Sequence, residues 1–179
     1  MSRHEHNYSC TAADGHRQIV AFLTEGDFVG VGFPRHEDCA LEAVTDCELH
    51  LIERRVLDDQ RKRDAELEHH IQQQVADALV RAQELVGLLG YRSVTGRLAA
   101  FLQREAERPR LVTVTASDEF RLRIPRQDLA SFLATSTESI CRSLYKLDRT
   151  AAIRLLRPDR YVILDNKLLE TFADGDAIR

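Results

Sequence analysis

The sequence predicts an α+β fold in three parts: short strands, then one long helix, then a mixed unit of helices and hairpins. Three observations carry that reading. Residues up to Ile52 run in short apolar stretches broken by Gly and Pro. Residues from about Val56 to Leu89 contain no Pro, and their first Gly is Gly87. The charge also changes sign along the chain: residues 1–90 carry 9 Lys/Arg against 17 Asp/Glu, a net −8, and residues 91–179 carry 16 against 12, a net +4. An acidic front and a basic back fit a chain whose back half alone meets a polyanion, although many solvated faces have the same balance.

Composition narrows the class. With 44% apolar and 30% charged residues in 179, the chain is globular rather than disordered or fibrous. No apolar run approaches the roughly 18 residues of a membrane helix, and the first twenty residues lack the apolar region of a secretory signal. Cys10, Cys39, Cys47 and Cys141 show no CxxC pairing, so reduced thiols are expected. The expectation is a cytoplasmic protein with no membrane partner.

Taken in order, Gln18–Leu23 is an apolar run after the turn signal Asp14-Gly15, and Ala40–Val44 and Cys47–Ile52 read as further strands. Within the long helix, Ile71, Val75, Ala78, Ala82, Leu85 and Leu89 recur at steps of 4, 3, 4, 3 and 4, with Leu79 and Val86 widening the stripe. Asp64, Glu66, Glu68, Asp77, Arg81 and Glu84 lie off it. Such a seam must be buried, either against the rest of the chain or against a second copy of itself, and self-pairing is the expectation. The resulting division is 1–57, 58–90 and 91–179.

Beyond Gly90, Ser93–Glu107 reads as an amphipathic helix with Val94, Leu98, Phe101 and Leu102 inward. Leu111–Thr115 and Phe120–Ile124 alternate like a hairpin. A helix runs from Pro125 to about Leu133 and another from Thr137 to about Arg149. Ile153–Leu156 and Tyr161–Leu164 form a second hairpin. Two helices across a short turn, followed by a hairpin, describe a winged helix-turn-helix.

In the helix starting at Thr137, Ile140, Leu144 and Leu147 share the inward face, leaving Glu138, Cys141, Arg142 and Tyr145 outward. Glu138 and Arg142 are four apart and adjacent. On a solvated helix they are an ordinary ion pair. On DNA, Arg bonds guanine O6 and N7 bidentately and Glu accepts from cytosine N4, and recognition helices present their N-terminal residues to the major groove. Cys141 is either a small side chain fitting a base-facing spot or a redox switch that oxidation would make bulky and negative.

The string Ile-Pro-Arg-Gln-Asp-Leu-Ala-Ser-Phe-Leu-Ala-Thr-Ser-Thr-Glu-Ser-Ile-Cys-Arg-Ser-Leu, residues 124–144, resembles the helix-turn-helix of the Crp/Fnr family of bacterial transcription regulators. Asp14-Gly15-His-Arg-Gln-Ile-Val-Ala-Phe and Gly26-Asp27-Phe-Val-Gly30 resemble the second half of that family's cyclic-nucleotide-type β-roll, a jelly roll. The long helix stands where its dimerisation helix belongs. The resemblance implies a homodimer that reads a palindrome and contacts RNA polymerase. It implies base reading by Glu138, Cys141 and Arg142, with Arg126, Thr137, Ser139, Tyr145, Lys146, Arg157 and Arg160 on the backbone or in support. Cys141 stands where the Fnr/FixK branch has Ser, and Thr137 where the cAMP-receptor branch has Arg, which favours a TTGA-type half-site.

Against the family pattern, the positions matching a cAMP site are Val31 and Asp38-Cys39, and an Asp there would repel the cyclic phosphate. The N-terminal cysteines of an iron–sulfur cluster are absent; Cys47 alone resembles a cluster position and is expected to be a buried strand residue. Neither cofactor is expected. His4, His6 and Cys10 have a spacing a metal could use, but terminal histidines are ordinarily solvated. No catalytic constellation points to an enzyme. Ala134 in the helix-turn-helix turn and Ala151 before the wing replace family glycines, which costs about 1 kcal/mol wherever φ is positive. Residues 1–57 accommodate a partial β-roll, through a late start codon or as a natural short form. The rival expectation is a truncated partner that heterodimerises with a full-length relative.

Overall fold

The computed structural model describes residues 5–11, 17–30, 39–115 and 118–174. β1 (Glu5–Thr11), β2 (Arg17–Thr24) and β3 (Cys39–Ala43) form an antiparallel sheet in the order β2-β1-β3, with a register shift at Tyr8/Ser9. Ile19 and Phe22 of β2 are buried in the core shared with the C-terminal unit. The Asp14-Gly15 turn, Val31, Asp38 and His4 lie outside the described residues. Cys39 falls in β3, and His6 and Cys10 in β1.

The segment 47–52 is not a strand. It pairs with no described strand, and Leu49, Leu51 and Ile52 are exposed, Leu51 at 95%. Alternation specifies a strand only where an edge and a face receive it, and β3 is paired on one side by β1 with nothing described on the other. Cys47 is correspondingly half-buried in irregular chain, not a buried strand residue.

The single long helix is two helices, α1 (Arg54–Arg61) and α2 (Ala65–Leu89), so the boundary at 58 falls inside α1. The break is a cap. Asp64 leaves helical geometry at φ −122° and ψ 100°, and its Oδ1 accepts from the backbone N–H of Glu66 and Leu67, both at 3.0 Å. Glu66 and Glu68 then sit in the first turn, where the helix dipole favours them. Arg61 Nε folds back on Glu68 Oε2 at 2.6 Å, stapling α1 to α2.

The expected heptad seam divides between two faces. Ile71 and Leu85 are buried within this chain, as is Leu88, so they are unavailable to a partner. Val75, Leu79 and Val86 are exposed at 44%, 60% and 71%, with Ala82 exposed between them and Leu89 half-buried at the end. The row 75, 79, 82, 86 keeps steps of 4, 3 and 4. The apolar stripe was wide enough for both faces, and the rest of the chain takes the one it can reach.

The C-terminal unit follows the sequence closely. α3 (Val94–Glu107) is capped by Ser93, whose Oγ accepts from Gly96 N. α4 (Arg126–Phe132) and α5 (Thr137–Arg149) pack on it through Leu129, Leu133, Ile140, Leu144 and Leu147, all fully buried. The two predicted hairpins join. β4 (Val112–Val114), β5 (Phe120–Leu122), β6 (Ile153–Arg157) and β7 (Arg160–Ile163) make one antiparallel sheet, order β4-β5-β7-β6, clasped where the Phe120 and Tyr161 rings stack at 5.3 Å. A further helix, α6 (Asn166–Asp174), starts at Asp165, whose side chain accepts from Leu168 N, and closes the core against α3 through Leu169 and Ala173.

Candidate nucleic-acid interface

The outward face of α5 is built from its cap upward. Ser136, extended at φ −93° and ψ 153°, caps the helix by accepting from Ser139 N at 3.2 Å, and its hydroxyl meets that of Ser139 at 2.9 Å. Arg142 Nη2 donates to Ser139 Oγ at 3.3 Å, and its Nη1 lies 3.3 Å from Glu138 Oε1. The two side chains of this pair are 69% and 77% exposed. An ion pair so exposed contributes at most a few tenths of a kcal/mol to stability. Its use is orientation: carboxylate and guanidinium stand side by side on the first two turns with donors left over.

Thr137 and Tyr145 are exposed on the same helix. Arg142, Tyr145, Lys146, Arg149 and Thr150 line one shallow hollow along it. Arg149 escaped the sequence reading, although 142, 145, 146 and 149 follow the helical repeat that identifies a single face. Lys146 Nζ lies 5.5 Å over the Phe172 ring, so α6 holds this amine in place.

Arg126, expected on the DNA backbone or in support, is tied to the β6–β7 turn. Its Nε and Nη2 donate to Pro158 O at 3.1 and 2.6 Å, and its Nη1 approaches Cys141 Sγ at 3.0 Å. Three of its nitrogens are thus engaged inside the protein, linking α4, α5 and the β6–β7 turn. Arg126 thereby fixes the β6–β7 turn against α5. Cys141 is half-buried beside it, and Arg126 rather than Arg142 is the cation on its sulfur. Arg157 is exposed at the end of β6. Arg160 is half-buried, with Nη1 4.0 Å from Glu119 Oε2 and Nε buried without an acceptor among the described residues.

The turn between α4 and α5 is held from outside. Ala134 has φ +50°, Thr135 N donates to Ala130 O, and Arg97 Nη1 donates to the carbonyls of Leu133 and Ala134 at 2.9 and 3.1 Å. Ala151, at φ +59°, ends α5 in the same way, with Ala152 N bonded to Leu147 O. Arg97 is a second residue the sequence reading missed; its partners are 36 and 37 residues away and leave no local signal.

Residues 96–172 match the model of the Crp-like helix-turn-helix domain. The nitrogen fixation regulation protein FixK of Azorhizobium caulinodans is 33% identical over 156 residues, 87% of this chain and 63% of that protein. The FixK protein of Bradyrhizobium diazoefficiens is 35% identical over 152 residues, 80% of this chain and 60% of that one. The chain thus spans less than two thirds of the length of these relatives. The structure of FixK2 from Bradyrhizobium japonicum superposes with a TM-score of 0.75 over 98% of this chain and 84% of that one, at 23% identity.

Proposed function

Because the chain belongs to the Crp/Fnr family, in its FixK-like branch, we propose that it is a sequence-specific DNA-binding transcription regulator, a cytoplasmic homodimer that reads a TTGA-type palindrome. The observation that carries this reading is the exposed Glu138–Arg142 pair on the first turns of a capped helix, with no described element over it. Arg142 reads a guanine and Glu138 a cytosine amine, while Lys146, Arg149 and Arg157 meet phosphates. Two copies pair along Val75, Leu79, Ala82 and Val86, setting their reading helices about one DNA turn apart. Neither cAMP nor an iron–sulfur cluster enters this reading, nor does any catalytic activity. Contact with RNA polymerase is part of the proposal and is supported by the family likeness alone.

The test is a fluorescence-anisotropy titration of a TTGAT-N4-ATCAA duplex against a scrambled one at two salt concentrations, under reducing conditions. Palindrome-selective binding is expected. Arg142→Ala should lose about 1–3 kcal/mol and relax selection at one guanine. Binding indifferent to sequence would overturn the reading. Cys141 adds a second proposal, that its oxidation by peroxide switches DNA binding off, because oxidation adds bulk and negative charge where DNA must dock. A Cys141→Ala protein that binds DNA yet still loses binding to peroxide would sink it.

A further inference from the structure

α5 presents Glu138 and Arg142 on one face and is seated on the protein by the other. That inward face is apolar with one exception. Ile140, Leu144 and Leu147 are fully buried, and Ser143, the residue directly after Arg142, is buried with them at 5%. A serine in mid-helix packs less well than an alanine, because its hydroxyl competes for backbone groups. Here the hydroxyl has a partner. Thr95, in the first turn of α3 and 7% exposed, donates from Oγ1 to Ser143 Oγ at 3.2 Å. These are the two buried Ser or Thr side chains among the described residues, and they meet across 48 positions of sequence.

Apolar contacts are non-directional, so by themselves they let one helix turn or slide slightly on another. A hydrogen bond weakens steeply as its angle departs from linear. With both hydroxyls out of water, turning α5 would leave each unsatisfied, so the pair selects one register of α5 on α3. α3 is in turn tied to the end of α2: Arg97 Nε donates to Tyr91 O at 3.0 Å and Arg104 Nη2 to Glu84 O at 3.1 Å. Other polar ties of α5 run elsewhere. Arg126 Nη1 on Cys141 Sγ joins it to α4, and Leu155 N on Asp148 Oδ1, at 2.8 Å, joins it to β6. Reading a guanine needs this kind of control, since both N–H groups of the arginine fork must meet O6 and N7 together. Glu138 and Arg142 are exposed, so the helix beneath them sets where they point.

We infer that Thr95 and Ser143 are positioning residues for base reading: their buried hydrogen bond locks α5 in register on α3 and so aims Arg142 at its base. The inference rests on α5 being the helix that reads DNA, and it adds what aims that helix. It separates two properties that a general loss of structure would lower together. Without the bond, discrimination between bases falls, while attraction to phosphates, which depends on charge more than on angle, stays in place.

The test compares the affinity of the full chain for the TTGAT-N4-ATCAA duplex with that for TTAAT-N4-ATTAA, in which the guanines are replaced, by fluorescence anisotropy under reducing conditions. Thr95→Val, which exchanges the hydroxyl for a methyl group, should lower this ratio by about fivefold or more, the low end of what one bidentate contact supplies. Ser143→Ala should do the same; alanine favours the helix, so melting of α5 would not account for the loss. Affinity for a scrambled duplex, and its salt dependence, should stay at the parent value in both. Thr95→Ser keeps the hydroxyl and should keep the parent ratio, and Thr95→Val with Ser143→Ala should be no worse than either alone. A parent protein with no preference between the duplexes would overturn the DNA reading and this inference with it. A selective parent whose variants keep the full ratio, or lose affinity for all duplexes alike, would overturn the positioning role alone, as would a Thr95→Ser protein as unselective as Thr95→Val.

Discussion

The two halves of the molecule place their apolar residues differently. From Leu98 to Leu169 the chain builds one continuous core, with Leu98, Leu102, Leu129, Leu133, Ile140, Leu147, Ile153 and Leu169 all at 0% exposure. In the front half, Leu41, Leu49, Leu51, Ile52 and Val56 are exposed, and Ile19 and Phe22 are buried by joining the core of the other half. A continuous core stabilises the C-terminal unit through its own contacts, whereas the front half derives its order from attachment to that unit. The attachments are specific: Arg17 bridges Glu42 and Asp128 of α4, Gln18 donates to Phe132 O, and Asp27 ties Arg81 and Arg110.

The sharpest way to break this comparison is to truncate one leucine on each side. Leu102→Ala should cost about 2–5 kcal/mol in chemical denaturation, because the surrounding helices relax only partly into the space left. Leu51→Ala, at 95% exposure, should change stability by less than about 0.5 kcal/mol. Equal losses would mean that the front segment has a buried partner in solution. The long helix tests the same contrast at its outer face. Leu79→Glu should leave the fold intact and shift any self-association measured by analytical ultracentrifugation by about 3 kcal/mol, counting one leucine from each of two copies. Ile71→Glu, on the inward face, should instead unfold the helix pair, since it buries a charge within the chain.

Within the dense half, Glu105 is the costly group. It is 5% exposed, and its Oε2 accepts from Arg110 N at 2.9 Å and Leu111 N at 2.6 Å, fixing the corner into β4. Burial raises its pKa; those two hydrogen bonds and the charges of Arg110 and Arg104 pull it partly back. The folded carboxyl therefore binds its proton more tightly than the unfolded one. Stability from this group is greatest below the ordinary glutamate range and declines as pH rises through the raised value. Glu105→Gln keeps an acceptor and should abolish that decline in pH-dependent denaturation. Glu105→Leu strands two buried donors and should cost about 1–3 kcal/mol for each. Tyr161, also buried and pushed up partly by the Glu105 charge, should titrate closer to normal in the Gln variant.

How legible these features are in the sequence follows their range. The span of α5 is local: Ser136 caps, the apolar period sets the face, and the alternating segments on either side bound it, so Thr137–Arg149 is readable from the residues themselves. The break at Asp64 was readable too, since an Asp followed by Glu66 and Glu68 is a helix-start signature, but an unbroken apolar stripe outweighed it. Arg126 was readable as a supporting residue, but its partner was not, because the Pro158 carbonyl that holds it lies 32 residues away. The failure at 47–52 is of the same kind, because a strand requires a neighbouring edge that no local pattern encodes.

The smallest effect separates the halves at the level of single backbone angles. The front half adopts left-handed geometry at Gly26 and Gly30, with φ +87° and +98°, where no side chain opposes it. The back half does so at Ala134 and Ala151, with φ +50° and +59°, each closing a helix through a backbone bond five residues back. An alanine Cβ crowds the neighbouring carbonyl there, and glycine removes that strain while adding freedom to the unfolded chain. Because the strain exceeds the entropy lost, Ala134→Gly and Ala151→Gly should each stabilise by about 0.5–1 kcal/mol in thermal denaturation. The two sites share no hydrogen-bond partner among the described residues, so the double variant should show nearly the sum. A core as continuous as that of the back half tolerates both alanines, whereas the same residue at Gly26, in a turn that Asp27 must hold for two arginines, should release the front sheet before the C-terminal unit melts.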